Sequence, residues 1–577
     1  MKRTIRILFY GILSCLLCGC GNAQADNRDG LFEYREIYLP GNGTPEAAAL
    51  GLDNIDKAWG LWGHNLASVL PSKPSQTVYA RQNGSTVHDQ FCFMSNHLFG
   101  YIENYIVDNY GEEDSLRFAI LPNDNGIVCL CAKCTEEGNT RKDASPAVFH
   151  MIRRLAERFP KHTFFTSYYK TARGIPADPL PANAGVLISA MNYPISTAAT
   201  PQEQSFERLL SAWSTRTEHV YIWDYVNNFD DYFTPFPVFS AMQRRLQLYA
   251  STGVKGVFFN GSGTDYSTFS RLKLHGLAAL LDNPDADWRE LLPDLCRKFY
   301  PVAGDAIARF MLLQEDYAVS RGRTLPMYEG VKNALDTYLP EAEFIAFHDE
   351  LLDLLPQIRG DERKSVQKLA GALSLTRLEL MRLHGETEGW EPLLEQLSRF
   401  GTEVAVYSES CWSVADYVRD YTFMQEHAAL VKEEGTNLLR GVRLSPLTEL
   451  DPDYSDISVL TDGLTGLPSN YHCGNLLSSA DPSLRISIPA VEGLRRLRVC
   501  LTRNPEFRMA LPRQVMLTVG EERVGAAEPK RSSAHQGHAF VEFDLPPSPA
   551  GPIVLSLIRD PEVHTMSVCE IEGFVAK

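Results

Sequence analysis

Val220-Tyr221-Ile222-Trp223-Asp224-Tyr225 is followed by the polar break Asn227-Asn228, then by Phe239, Met242, Leu246 and Tyr249 at helical spacing, then by Val254 to Asn260. A β-type run, an amphipathic helix and a second β-type run make a βαβ unit, whose two strands lie parallel. The same grammar extends outward. Leu116 to Leu121 reads as a strand, and Ser145-Pro146 as a helix cap with proline at the first helical position. Val148, Ile152, Leu155 and Phe159 follow on one helical face. Thr163 to Tyr169 and Val186 to Met191 are further strands; Phe206, Leu209, Leu210 and Trp213 form a helical stripe, as do residues 272–281. Five consecutive βα units predict a parallel sheet. Polar and aromatic residues gather where the strands end: Asn123-Asp124-Asn125, Tyr168-Tyr169, Asn192-Tyr193, Trp223-Asp224-Tyr225 and Asn260. In a (β/α)8 TIM barrel those ends form the active-site face. A doubly wound sheet is the rival, but the chain shows no Gly-rich phosphate loop.

Two further stretches follow the α/β region of residues 31–303. Residues 304–436 carry helical periodicity over 306–317, 342–355, 364–383, 392–400 and 414–431, with few β-branched runs, and read as a helical domain. Residues 437–577 switch to short alternating runs (484–488, 497–501, 515–519, 539–543, 553–558) punctuated by Pro and Gly, the pattern of an antiparallel β-sandwich. The length of 577 residues accommodates several domains. The chain is 44% apolar and 22% charged, a globular balance. Its 55 Lys+Arg against 72 Asp+Glu give a net charge of −17, which argues against a nucleic-acid partner.

Residues 1–20 read as an address. Lys2, Arg3 and Arg6 precede the short apolar run 7–17, and Leu17-Cys18-Gly19-Cys20 resembles a bacterial lipoprotein box. That resemblance implies cleavage before Cys20 and acylation of its thiol. Residues 21–30 would then be a linker from a lipid anchor in the membrane to the barrel. The expected place is the outer membrane or cell surface, with the periplasmic face as the alternative. Nine cysteines follow Cys20, and only Cys129, Cys131 and Cys134 cluster, as C-x-C-x-x-C. With Cys92 they offer three readings: disulfides, a structural zinc, or free thiols. No other cofactor is expected.

Phe32-Glu33-Tyr34-Arg35-Glu36, Trp59-Gly60-Leu61-Trp62-Gly63-His64-Asn65, Cys92, Pro122-Asn123-Asp124-Asn125-Gly126 with the C-x-C-x-x-C, Trp223 to Phe229, and Gly253 to Phe258 follow one another along residues 31–310. In that order and spacing they resemble Bacteroidota proteins grouped as domain of unknown function 4838. The resemblance implies a TIM-barrel glycoside-hydrolase-like domain, distantly similar to α-glucuronidases and family 20 hexosaminidases. Leu460-Thr461-Asp462-Gly463 resembles part of a discoidin-type, galactose-binding-like sandwich. Two departures stand out. Family members carry a longer region before Arg35, so the barrel here is expected to lack a strand or to close differently. They also place a glutamate where this chain has Asn260, which bears on activity.

Glycosidic cleavage needs an acid and a second carboxylate as base or nucleophile. Asp124 and Asp224, at strand ends, are the candidates. Arg35 is a candidate grip for a sugar carboxylate, with a structural salt bridge as the other reading. His64 is a candidate for hydroxyl binding or proton transfer. Trp62, Tyr168, Trp223 and Tyr225 are candidate stacking surfaces, and Asn65, Asn123, Asn125, Asn227 and Asn260 complete the expected polar lining. The expected partner is an oligo- or polysaccharide. Two functions follow: a membrane-anchored glycoside hydrolase acting on a complex glycan by paired-carboxylate acid/base chemistry, with uronic-acid- or amino-sugar-containing glycans among the candidates, or a non-catalytic glycan-binding lipoprotein with a degenerate site.

Overall fold

The computed structural model describes residues 30–386, 388–399, 413–479, 481–532, 537–546, 551–560 and 565–576. Cys20, the leader and most of the linker lie outside them. No described helix is long and apolar enough to cross a membrane.

Seven strands form one sheet: β1 (Tyr34–Tyr38), β2 (Trp59–Leu61), β3 (Arg117–Ala119), β4 (Thr163–Tyr168), β5 (Ala184–Ser189), β6 (His219–Tyr225) and β7 (Gly256–Asn260). All neighbouring pairs are parallel, in the order β1-β7-β6-β5-β4-β3-β2. The sheet curls into a half-barrel that is open between β1 and β2: seven strands stand where the (β/α)8 template has eight, in line with the expectation of a missing strand or a different closure. The strand that pairs β7 is the Arg35 segment itself.

An open parallel sheet has two edges with unpaired backbone groups. Here both are covered. The Arg35 N–H donates to Asp53 Oδ2 (2.9 Å), and the Arg35 carbonyl accepts from the Asp53 N–H (2.7 Å). On the other edge the Gly60 carbonyl accepts from the hydroxyls of Tyr110 (3.0 Å) and Tyr105 (3.2 Å). Aromatic packing spans the gap: the Tyr34 and Trp59 rings meet edge-on at 5.7 Å.

Strand alternation sorts the side chains. Tyr34, Trp59, Ala119, Phe165, Leu187, Tyr221 and Phe258 form a core inside the curl. Two strand glycines make room for it: a Cβ on Gly256 would meet the Tyr221 ring at 2.5 Å, and one on Gly185 would meet Phe165 at 2.7 Å. The outward residues pack beneath the helices α1 (Asn96–Asn109), α2 (Ser145–Arg158), α3 (Pro201–Ser214), α4 (Phe239–Ser251) and α5 (Ser270–Asp282). Thr200 opens α3 with a capping box to Glu203. Ser145 is the first residue of α2 and Pro146 follows it, so the expected cap is displaced by one residue. Ala144 holds the cap position and Asp143 Oδ1 accepts the Ser145 N–H (3.0 Å).

The helices Gly304–Arg321, Glu341–Leu354, Gly360–Leu383 and Val414–Glu434 continue the barrel's hydrophobic core. Glu315, on the first of them, accepts the N–H groups of Val238, Phe239 and Ser240 at 2.7–3.0 Å, so it caps α4 and locks the helical region to the barrel. The C-terminal region has a separate core between a five-stranded sheet containing 483–488, 553–558 and 514–519 and a second sheet containing 565–574, 496–502 and 538–544. Its long strand pairings are antiparallel. The 460–463 motif is placed at its junction with the helical region: the Gly463 N–H donates to buried Glu570 (3.2 Å), and Asp462 lies 3.7 Å from Arg382.

Candidate functional site

The C-terminal ends of the strands form a mouth above the aromatic core. Trp62 follows β2, and Trp223 is the inward residue near the end of β6. Their rings stack at 5.1 Å with an interplanar angle of 23°. Phe258 supports both, at 4.6 and 5.2 Å. Both tryptophans are half-buried, and Trp223 Nε1 finds no acceptor among the described residues.

A polar rim surrounds this platform. His64 Nδ1 bonds the Pro122 carbonyl (2.6 Å), and the imidazole lies 6.2 Å from the Tyr169 ring and 6.4 Å from Trp223. Burial pushes the His64 pKa down, only partly opposed by the Pro122 bond and nearby Asp124. The imidazole is therefore neutral at pH 7 and presents one donor and one acceptor. Asp124 pairs with Lys170 at 2.6 Å, both side chains being about two-fifths exposed (38% and 41%). Lys170 also lies over the Tyr169 ring at 5.4 Å. Its backbone is left-handed, φ +43°, in the reverse turn closed by two Tyr169–Ala172 hydrogen bonds. A lysine in that region is uncommon, and the turn is what holds it there.

The hairpin 79–91 presents Asp124. Asn123 Nδ2 and Asn125 Nδ2 both donate to the Asp89 carbonyl, at 2.9 and 2.8 Å, and Gln90 Nε2 donates to Asn125 Oδ1. The two asparagines are thus loop struts, and the residue between them is turned outward.

Glu36 was missed by sequence reasoning. It is fully buried on β1, takes the Tyr34 hydroxyl on one oxygen and Asn42 Nδ2 (2.7 Å) on the other. Burial outweighs these bonds and lifts its pKa to about 7. Tyr38, two residues on along the same face, has its pKa raised chiefly by burial, with smaller contributions from the charges of Asp56, Glu36 and Asp265. Reading 34–38 as a strand would have found Glu36, because period-two alternation puts Tyr34, Glu36 and Tyr38 on one face and Arg35 on the other.

Several expected site residues are elsewhere. Asp224 alternates away from Trp223 and faces α4, where Tyr249 donates to Oδ2 (2.5 Å) and Arg245 Nη1 pairs with it at 3.2 Å. Its side chain is 1% exposed, so it is not brought together with Asp124 at the mouth. Arg35 faces outward to Asp282 at the end of α5 and to the Gly51 carbonyl (3.1 Å), which is the salt-bridge reading. Tyr168 faces the Trp213 ring of α3 at 6.4 Å, leaving Tyr169 as the rim residue. Tyr225 is buried and shares a 3.1 Å bond with Ser189. Asn227 is buried and accepts from Lys273 Nζ (3.1 Å). Asn65 is exposed beside the platform and donates to the Trp62 carbonyl (3.1 Å). Asn260 ends β7 in register with Tyr38 and Tyr225 and is half-buried.

No curated protein matches the chain. Among solved structures, a family GH115 4-O-methyl-α-glucuronidase with specificity for decorated arabinogalactans is 13% identical, with 85% of this chain and 68% of that chain covered and a TM-score of 0.35. A GH138 enzyme targeting pectin rhamnogalacturonan II is 9% identical, with coverages of 83% and 77% and a TM-score of 0.30. The lectin domain of lectinolysin, complexed with Lewis B antigen, is 16% identical over 25% of this chain and 99% of its own, with a TM-score of 0.20. The family model described as Domain of unknown function (DUF4838) matches residues 67–312, which span the hairpin, β3 to β7 and the helices around them.

Proposed function

We propose that the barrel mouth binds an oligo- or polysaccharide, in a protein held at the outer membrane or cell surface by a lipid on Cys20. The observation that carries this is the stacked, half-buried Trp62–Trp223 platform with His64, Tyr169, Asp124 and Lys170 on its rim. Sugar rings offer an apolar face and hydroxyl edges; rigid aromatic surfaces with adjacent donors and acceptors match both. Lys170 adds a cation for a charged sugar.

A second reading, glycoside hydrolysis, rests on Glu36, whose pKa burial lifts to about 7; to act as a proton donor this fully buried carboxyl needs its Tyr34 or Asn42 contact to open toward the substrate. Its second carboxylate is Asp124 at the rim, since Asp224 is buried against Arg245. The test is a glycan library screened with the purified protein for both binding and released reducing ends, beside Trp62→Phe and Lys170→Ala. Binding weakened by both variants without released ends supports the binding role. Released ends that vanish in Glu36→Gln support hydrolysis. No bound glycan, or binding indifferent to both platform variants, overturns the mouth as the site.

A further inference from the structure

Cys92, Cys129, Cys131 and Cys134 converge from three places: the end of the 79–91 hairpin, the loop after β3, and the first turn of the short helix Ala132–Glu137. Their four Sγ atoms all lie within 4.8 Å of one another. Cys92 Sγ is 3.7 Å from Cys131 Sγ and 3.6 Å from Cys134 Sγ. Three of the side chains are buried and Cys131 is half-buried.

We propose that these four cysteines hold one structural zinc ion. A tetrahedral tetrathiolate with Zn–S bonds of about 2.3 Å places its sulfurs about 3.8 Å apart. The two Cys92 separations, 3.7 and 3.6 Å, match that edge length, and all pairs fall within 4.8 Å. A disulfide pairs its sulfurs two by two at about 2.05 Å; here Cys92 stands at equal distance from two partners, the arrangement of a shared centre. The surroundings supply the outer support that thiolates need: the Arg81 N–H donates to Cys129 Sγ (3.3 Å). Backbone bonds clamp the same strands together, with the Cys92 N–H on the Val78 carbonyl and the Leu130 N–H on the Arg81 carbonyl, both 2.8 Å. Binding Zn²⁺ displaces the thiol protons and leaves a tetrathiolate centre with no change of oxidation state.

The centre joins the hairpin to the loop that follows Asp124. It therefore fixes the segment whose Asn123 and Asn125 hang on Asp89 and Gln90. Its role is positional and does not depend on the glycan reading.

The experiment is elemental analysis of the full chain purified without added metal or chelator, with cysteine mapping by alkylation under denaturing, non-reducing conditions. The expected result is one zinc per chain, all four cysteines alkylated without reductant, and loss of that zinc in Cys131→Ser, the substitution at the least buried ligand. Loss of zinc should raise hydrogen exchange over 85–92 and 122–134 while the helices of 341–383 stay protected. Peptides linked through Cys92, four alkylatable thiols in a zinc-free protein, or a zinc content unchanged in Cys131→Ser would each overturn the assignment. Reconstitution with cobalt(II) gives a second readout: thiolate-to-metal charge transfer and tetrahedral visible bands are expected, and their absence in refilled wild type counts against it.

Discussion

Replacing Glu36 by glutamine isolates the one strongly shifted carboxylate inside the curl. The fold holds a proton on Glu36 up to about pH 7, whereas the unfolded chain releases it near the usual 4.5. Between those values the folded state binds more protons than the unfolded state, so stability falls as pH rises through the window. The difference of about 2.5 pH units, at about 1.4 kcal/mol each, makes about 3 kcal/mol. Glutamine has no proton to lose. Its amide can accept from the Tyr34 hydroxyl and donate to Asn42, whose Oδ1 has no partner among the described residues. The free energy of wild type relative to Glu36→Gln should therefore be most favourable below about pH 4.5, fall by about 3 kcal/mol between pH 4.5 and 7.5, and stay level above. Urea unfolding followed by barrel tryptophan fluorescence, at half-unit steps of pH, measures this difference. A difference that stays flat from pH 4.5 to 7.5 would show that Glu36 ionises normally, and would remove the basis for giving it an acid's role.

The remaining expectations concern placement. Asp224→Asn should destabilise the barrel by about 3 kcal/mol, because it leaves Arg245 buried beside a neutral partner, while Asp124→Asn at the exposed rim should change stability by less than about 1 kcal/mol; thermal melts of the two, side by side, check this. Gly256→Ala should cost about 1–3 kcal/mol, since the added methyl meets the Tyr221 ring at 2.5 Å and forces a shift of the aromatic core; equal melting curves would refute the packing. Cys20→Ser should move the protein from the membrane fraction to the soluble one, because no described helix can hold it there; continued sedimentation after a salt wash would refute the lipid anchor.

The elements were largely legible in the sequence. Strands at 163–168, 184–189, 219–225 and 256–260, the helices between them and the alternating runs of the sandwich fall where periodicity placed them, because those patterns are set by local geometry and by which face is buried. The strands at 34–38 and 59–61 were not read. They are short and carry charged or glycine residues, and they exist because β7 and β3 offer them a paired edge. Trp62, His64, Asp124 and Trp223 were singled out in the sequence, and the structure brings them to the same strand ends. At Asp224 and Tyr168 proximity to a strand end was taken without the parity that decides whether a side chain enters the curl or meets the helices, and at Arg35 parity selects the salt-bridge reading. Parity is fixed by the sheet's curvature and register, which are long-range properties. The sequence by itself determined the succession of elements and the grouping of aromatic and carboxylate residues near strand ends. Only the tertiary structure decided that the sheet stays open between β1 and β2, that Glu36 is the carboxylate it encloses, and that the sulfurs of Cys92 and the C-x-C-x-x-C, grouped already in the sequence, lie within 4.8 Å of one another. A chain of 577 residues brings such groups together by packing, and no local pattern records which of them will meet.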